Sequence, residues 1–371
     1  MRRFSHFLFE NFDADEQWDN PLNPRAFMND QADEVLSYVA QIPAGTCKNQ
    51  DLLSRCGIDP VQKLLDGGIL RKQGDRMFFD TPVFLKEDAA ILQNAMGASA
   101  EKLSNQLEGS LPKIHDICRQ LHNGFPEELN LYHILCGMVF DGSFFDILEQ
   151  NGAVATSRQH ISGLDYISVI YERCPELDTY ADSLLCSYNR FANEQCSLQS
   201  FGDANGNRYD FYRFFRLLEG GSLPENFRKG ELLLTEFGKS KREFLNAVME
   251  LLVHGRCTPQ VMMLLEEFGY AEAGKLCVPV YTEKDKQIIC EIEKIINEKM
   301  SEAFTEELKK LSSKMNITAN QHGVAPEEVA NELYHILFGS VNETLIRKGV
   351  VVQPPDIPGQ GRFLRCIQVG F

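Results

Sequence analysis

Leu131-Tyr132-His133-Ile134-Leu135-Cys136-Gly137 and Leu333-Tyr334-His335-Ile336-Leu337-Phe338-Gly339 agree at six of seven positions, at an offset of 202. One such match is weak evidence of a repeat, but others run collinear with it. Pro60 and Pro259 lie 199 apart, each before an apolar run, and Pro82-Val83-Phe84 matches Pro279-Val280-Tyr281 at 197. Those two strings lead to Asp88 and Asp285, and Gly152 and Gly349 also differ by 197. A shared order of matches is the mark of an internal duplication. Short loop insertions are expected to account for the drift between 197 and 202.

The segment after Asp88 strengthens the case. At an offset of 197, Ile91, Leu92, Ala95, Leu103, Leu107, Ile114 and Cys118 fall on Ile288, Ile289, Ile292, Met300, Phe304, Leu311 and Met315. Spacings of three and four put these residues on one face of an amphipathic helix. Each copy is therefore expected to hold a long helix, interrupted near Gly109 in the first.

Upstream of that helix, the first copy reads as helices at Ala32 to Val39 and Asn49 to Ser54, with a third begun by Asp59-Pro60. An Asp cap can accept from free first-turn amides, and Pro suits the first helical position. Gly67-Gly68 stops that helix. Ile69-Leu70-Arg71-Lys72 and Met77-Phe78-Phe79 read as strands around a turn at Gln73-Gly74-Asp75. Three helices and a β-hairpin in this order, over about residues 31–85, resemble the winged helix-turn-helix family. The second copy departs from that pattern and is a degenerate version of it: Thr258-Pro259 starts the third helix, Phe268-Gly269 ends it, and the hairpin at Tyr270 to Val278 is shorter.

The expected fold is thus α+β and mainly helical: a tandem duplication of a winged-helix-like module plus a helical unit closed by a β-hairpin. The boundaries are 1–88 and 89–200 for the first copy, 201–285 and 286–371 for the second. Closing turns are expected at Ser162-Gly163, before Tyr166 to Tyr171, and at 358–362, before Phe363 to Ile367.

The resemblance implies double-stranded DNA as a partner and a role in regulating transcription. The residues that could serve are Gln62 and Lys63 on the third helix, with Arg71, Lys72 and Arg76 on the hairpin and Lys48 at the second helix holding phosphates. Asp59 and Asp66 flank the third helix, and the net charge is −16, most of it carried before residue 200. Phosphate backbones repel such a chain unless its cations are concentrated locally. The second copy's third helix, Gln260 to Glu267, is apolar and then acidic, so its Met and Leu residues are expected to be covered. The alternative is a structural or protein-interaction protein, self-association included, that has lost DNA binding.

Tyr132, His133, Tyr334 and His335 are the candidate ligand-binding residues, one pocket per helical unit. The other reading is a buried core histidine bonded to a backbone carbonyl, since no carboxylate or thiol stands at metal-ligand spacing beside either pair. No metal and no cofactor is expected. Residues 203–207 lack the glycine at position six and the glutamate at position twelve of a calcium loop. No P-loop and no nucleophile–base–acid set is evident, so an enzyme is not expected. Eleven cysteines without a CxxC pair point to reduced thiols in a cytoplasmic protein. No uninterrupted apolar run reaches the roughly 18 residues of a membrane span, and no membrane partner is expected.

Overall fold

The computed structural model describes residues 1–10, 20, 22–204, 206–219, 221, 223–238 and 241–370. In the first half, β1 (Phe4–Glu10) precedes α1 (Asp30–Ala40), α2 (Asn49–Cys56) and α3 (Ile58–Asp66). The hairpin β2 (Leu70–Gln73) and β3 (Arg76–Phe79) follows, then β4 (Val83–Phe84), α4 (Ala89–Glu108) and α5 (Leu111–Cys118). Next come α6 (Glu127–Leu131), a π-helical segment (Tyr132–Ser143), α7 (Phe144–Gln150) and β5 (Tyr166–Glu172). The helix α8 (Pro175–Ala181) and β6 (Leu185–Ala192) lead to the second half.

There β7 (Cys196–Asp203) precedes α9 (Phe211–Glu219), α10 (Arg228–Phe237), α11 (Lys241–His254) and α12 (Pro259–Glu267). The hairpin β8 (Ala271–Glu272) and β9 (Lys275–Leu276), β10 (Val280–Tyr281) and α13 (Glu283–Lys314) come next. The chain ends with α14 (Thr318–Gln321), α15 (Pro326–Arg347), β11 (Asp356–Ile357) and β12 (Gly361–Val369). The fold is α+β and mainly helical.

The duplication is written in the hydrogen bonds. Ile170 donates to the Pro82 carbonyl and Ile367 to the Pro279 carbonyl, each at 2.9 Å. Donor and acceptor both keep the offset of 197. Asp88 accepts from the Leu85 amide and Asp285 from the Thr282 amide, each at 2.8 Å. The parallel pairs Val83↔Ile170 and Val280↔Ile367 share one register. Bridges at Gln159↔Asp165 and Asp356↔Arg362 close both hairpins at the expected turns. Extending the register identifies β1 with β7, because Phe9 faces Ile167 and Phe201 faces Leu364. Residue 200, where the sequence divides the copies, lies inside β7.

The rise of the offset from 197 to 202 and its return have two sources, and only one is a loop. Between Met315 and Leu333 the second copy gains five residues, which carry α14. The first copy recovers five between Leu131 and Gly152, inside a helix. That stretch is wound as a π-helix, whose i→i+5 bonds hold more residues per turn. It ends at Gly142 with φ −126° and ψ −114°. Helix insertion, not loop insertion, explains the return to 197.

Other expectations need smaller corrections. α3 begins at Ile58 behind Gly57 (φ 86°), so Asp59 lies inside the first turn and does not cap it. Its charge there still complements the positive end of the helix. The predicted break separates α4 from α5 at Gly109-Ser110, whereas α13 runs unbroken. Glu127–Gln150 is long and apolar enough to span a membrane by length and composition, with a mean hydropathy of 1.3 over its best window. Of that window 61% is buried inside the protein, which accounts for its apolar character. Asp141 and Asp146 interrupt its apolar run.

Two compact units divide the chain; four of their five limits fall inside helices and the fifth at the end of α8. One comprises Met1–Leu103, Phe145–Ala181 and Met300–Ser340; the other comprises Ser104–Phe144, Asp182–Lys299 and Val341–Phe371. In the first, α1–α3 and the hairpin enclose Val35, Leu36, Leu52, Val61, Leu64, Met77 and Phe79. Its sheet has the order β1-β5-β4. In the second, α9–α12 enclose Phe211, Phe214, Phe244, Leu264, Leu265 and Phe268, and its main sheet runs β10-β12-β7-β6.

Candidate nucleic-acid and ligand sites

The face that DNA would meet is made by α3 and the β2–β3 hairpin. Gly67 and Gly68 end α3, with Gly68 in the left-handed region that glycine enters freely. The Ile69 amide closes the turn on the Leu64 carbonyl at 2.9 Å. The turn at Gly74-Asp75 then sets Gln73 opposite Arg76. Lys48 bridges to Arg76 and adds a third short segment to the hairpin. The six predicted residues are therefore brought to one module, but their side chains do not act alike.

Lys48, Lys63 and Lys72 are exposed. Gln62 is exposed but donates to Asp66 at 2.7 Å. Arg76 donates to the Thr46 carbonyl at 2.8 Å. Arg71 is only partly exposed. Its Nε meets Asp80 at 3.0 Å, its Nη2 donates to the carbonyls of His322 and Gly323, and its guanidinium lies 4.6 Å over the Phe78 ring. His322 completes this junction by accepting from the Phe79 amide through Nδ1 at 3.1 Å. Arg71 is thus committed to holding the hairpin against the turn after α14, far away in sequence.

In the second copy α12 is capped by Thr258 and buries Val261, Leu264 and Leu265. Met263 is not covered as expected: it is 38% exposed. It alternates with the buried positions, which is what a surface helix with one core face requires.

The two Tyr-His pairs lie in different units. Tyr132 is buried, and its hydroxyl donates to the Phe201 carbonyl at 2.9 Å. A Cβ at Gly137 would meet the Phe201 side chain at 3.4 Å, an ordinary van der Waals contact, so the approach does not depend on glycine there. His133 is 2% exposed and edge-on to the Tyr132 ring, and among the described residues its Nε2 has no hydrogen-bond partner. Burial pushes its pKa down to about 3, so the imidazole is neutral. Tyr334 is buried among Phe145, Phe304 and Phe338. His335 is partly buried, stacks on Phe9 at 4.6 Å, and donates from Nδ1 to the Asn331 carbonyl at 2.9 Å. Burial lowers its pKa to about 4.

The backbone-bonded core histidine therefore describes His335 and not His133. A buried polar atom without a partner costs free energy, and replacing it by an apolar group removes that cost. His133→Phe is expected to match or exceed the native stability, while His133→Ala should lose about 2–3 kcal/mol to the cavity. Denaturant titration of both variants checks this, and an equal loss in both would contradict it.

Sequence reasoning missed a polar cluster in the second unit. Arg208 is 1% exposed; Nη2 donates to the Asp203 carbonyl at 2.7 Å, and Nη1 meets Ser200 at 3.3 Å. Asp210, also 1% exposed, accepts from Ser200, Asn189 and the Arg213 amide at 2.6, 2.9 and 2.8 Å. Asp203 holds Arg362 through both carboxylate oxygens. Desolvation raises the Asp141 carboxyl and lowers the Arg208 guanidinium from their ordinary values, because burial disfavours either charge. Arg208-Tyr209-Asp210 carried no motif that could have flagged it. Among the described residues no group of three or more His, Cys, Asp or Glu side chains could hold a metal ion, and all eleven cysteines are free thiols.

No family model, no curated protein and no solved structure matches this chain.

Proposed function

We propose that this chain is a structural or protein-interaction protein that keeps the winged-helix shape without reading DNA. The observation that carries this reading is the charge on the face of α3 and the hairpin. Lys48, Lys63, Lys72 and the partly exposed Arg76 are presented there against Asp59, Asp66 and Asp75, while Arg71 is paired with Asp80, so among these residues the cations exceed the acids by only one. A DNA-binding face needs a local surplus of cations, all the more on a protein of net charge −16. α3 also offers little to base edges, which are read by hydrogen-bonding side chains. Ile58 is 68% exposed on it, and Gln62 is tied to Asp66.

The test is a mobility-shift titration of duplex DNA at low salt, with the native protein and a Lys48→Ala, Lys63→Ala, Lys72→Ala variant. Neither protein should shift the duplex. A native shift that weakens in the variant, with a salt slope reduced by about one unit for each phosphate released, would overturn the reading in favour of a transcription regulator.

A further inference from the structure

We propose that the outer edge of β1 pairs antiparallel with β1 of a second copy of this chain, so that the protein forms a discrete dimer. The inference gives the interaction reading a surface and rests on it only to that extent.

The duplication supplies the template. β7, the counterpart of β1, is paired on both sides: β12 lies along one edge and β6 along the other, antiparallel, from Ser187↔Gly202 to Ala192↔Ser197. β1 has β5 along the equivalent inner edge, and its outer edge has no strand among the described residues. In an antiparallel ladder, alternate residues direct both backbone groups to the same side. The Phe4 amide points outward, where Asp33 caps it at 3.1 Å, and the Arg173 amide donates inward to Arg3 at 2.7 Å. Ser5, Phe7 and Phe9 therefore bond β5, and His6 and Leu8 turn their N–H and C=O groups outward. Neither backbone has a partner among the described residues.

Edge strands of soluble proteins are shielded by shortness, charge, proline or a bulge. β4 and β10 are two residues long. β6 carries the exposed Arg190 and a register shift between Leu185 and Ser187. β1 carries no charge, proline or bulge from Ser5 to Phe9, where its sequence is Ser-His-Phe-Leu-Phe, and α1 reaches this edge at Phe4, whose amide Asp33 caps. A cavity of about 520 Å³ opens beside it, lined by His6, Leu8, Arg25, Met28, Asn29 and Arg173.

A second copy fits this edge better than an unrelated strand for a reason of symmetry. Antiparallel pairing centred on Phe7 sets His6 opposite Leu8 of the second copy and Leu8 opposite its His6. Both outward-bonding residues are then satisfied on both chains. Glu10 falls opposite Phe4, so no like charges face each other. The contact is isologous and leaves only the two-residue β4 at each end of the joined sheet, so assembly stops at two.

The test is sedimentation equilibrium of the full chain over about a hundredfold concentration range. The native mass should rise from 42.1 kDa toward twice that value. Leu8→Pro removes one outward amide and leaves the inward bonds to β5 untouched. Leu8→Lys places a charge on the same edge. Both variants should stay at 42.1 kDa with native circular dichroism. A native protein that remains at that mass throughout, or two variants that dimerise as it does, would overturn the proposal. A dimer that also shifts duplex DNA would uphold the β1 contact and overturn the interaction reading, so the two failures are distinct.

Discussion

Glu332→Gln is expected to stabilise the protein at pH 8 by about 2–4 kcal/mol and to leave it unchanged at about pH 4. Glu332 is 7% exposed on α15; among the described residues its hydrogen-bonding partner is the Tyr171 hydroxyl, and no cation pairs with it. Burial pushes its pKa up to about 8, so the folded protein keeps a proton that the unfolded chain releases above about 4.3. The folded state then binds more protons over that interval. Stability from the protonated form is fully present below about pH 4.3 and is lost as pH rises toward about 8. Glutamine accepts the same tyrosine bond and carries no proton to lose. The histidines act at the other end. His133 and His335, with pKa values lowered to about 3 and about 4, favour the fold fully above about pH 6.5 and lose that contribution as pH falls. These windows overlap between about pH 4.3 and 6.5, so native stability should peak where the two trends cancel. The variant should lose the part of the alkaline decline that belongs to Glu332, Glu328 with its pKa raised to about 7 keeping the rest. Denaturant midpoints at several pH values measure this; an equal effect at about pH 4 and at pH 8 would contradict it.

What could be read from the chain alone was local or repeated. The hairpin turns at Gly74 and Gly359, the helix stops at Gly68 and Gly269, and the break at Gly109 each depend on a few neighbouring residues. The collinear matches also revealed the duplication, because two copies of one fold must keep the same apolar register. β1 escaped that reading. Phe-Ser-His-Phe-Leu-Phe-Glu shows no alternation, as expected of a strand with apolar neighbours on both faces. Phe4 faces one apolar cluster, while Phe7 and Phe9 meet Tyr171 and His335. Its partner is β5, on the far side of α1 to α7 and the π-helical segment.

Arg71 escaped for a related reason. A cation on an exposed hairpin reads as phosphate-binding, and only the fold brings the carbonyls after α14 to it. The five residues that the second copy gains before α15 supply that segment, so an insertion in one copy restrains the hairpin of the other. The Arg208 cluster was invisible in another way. Buried charges differ from surface charges only in what surrounds them, and single residues among Asn and Asp give no periodic signal.

That cluster sets the second large effect: Asp203→Ala should cost about 3–5 kcal/mol. Asp203 is 5% exposed at the end of β7. Its carboxylate accepts from the Arg362 amide at 2.7 Å, from Nη2 at 2.8 Å and from Nε at 3.1 Å. Arg362 lies at the start of β12, so these bonds fasten the first residues of β12 to the end of β7. Backbone contact is close here as well: a Cβ at Gly202 would come within 2.0 Å of the Arg362 carbonyl. Arg362 would keep Glu343 at 2.8 Å and the Ser183 carbonyl at 2.5 Å, so its charge would be only partly compensated. Truncation would also remove negative charge beside the buried Arg208, which has no carboxylate in direct contact among the described residues. Breaking one side of a buried pair costs more than deleting the pair, because the remaining ion stays desolvated. Asp203→Asn keeps one acceptor oxygen, which can serve the Arg362 amide or its guanidinium but not both, and should lose about 1–3 kcal/mol. Guanidinium unfolding followed by the fluorescence of a probe placed in the second unit would separate the three proteins by midpoint. An Ala variant within about 1 kcal/mol of the native protein would mean that Glu343 alone holds Arg362.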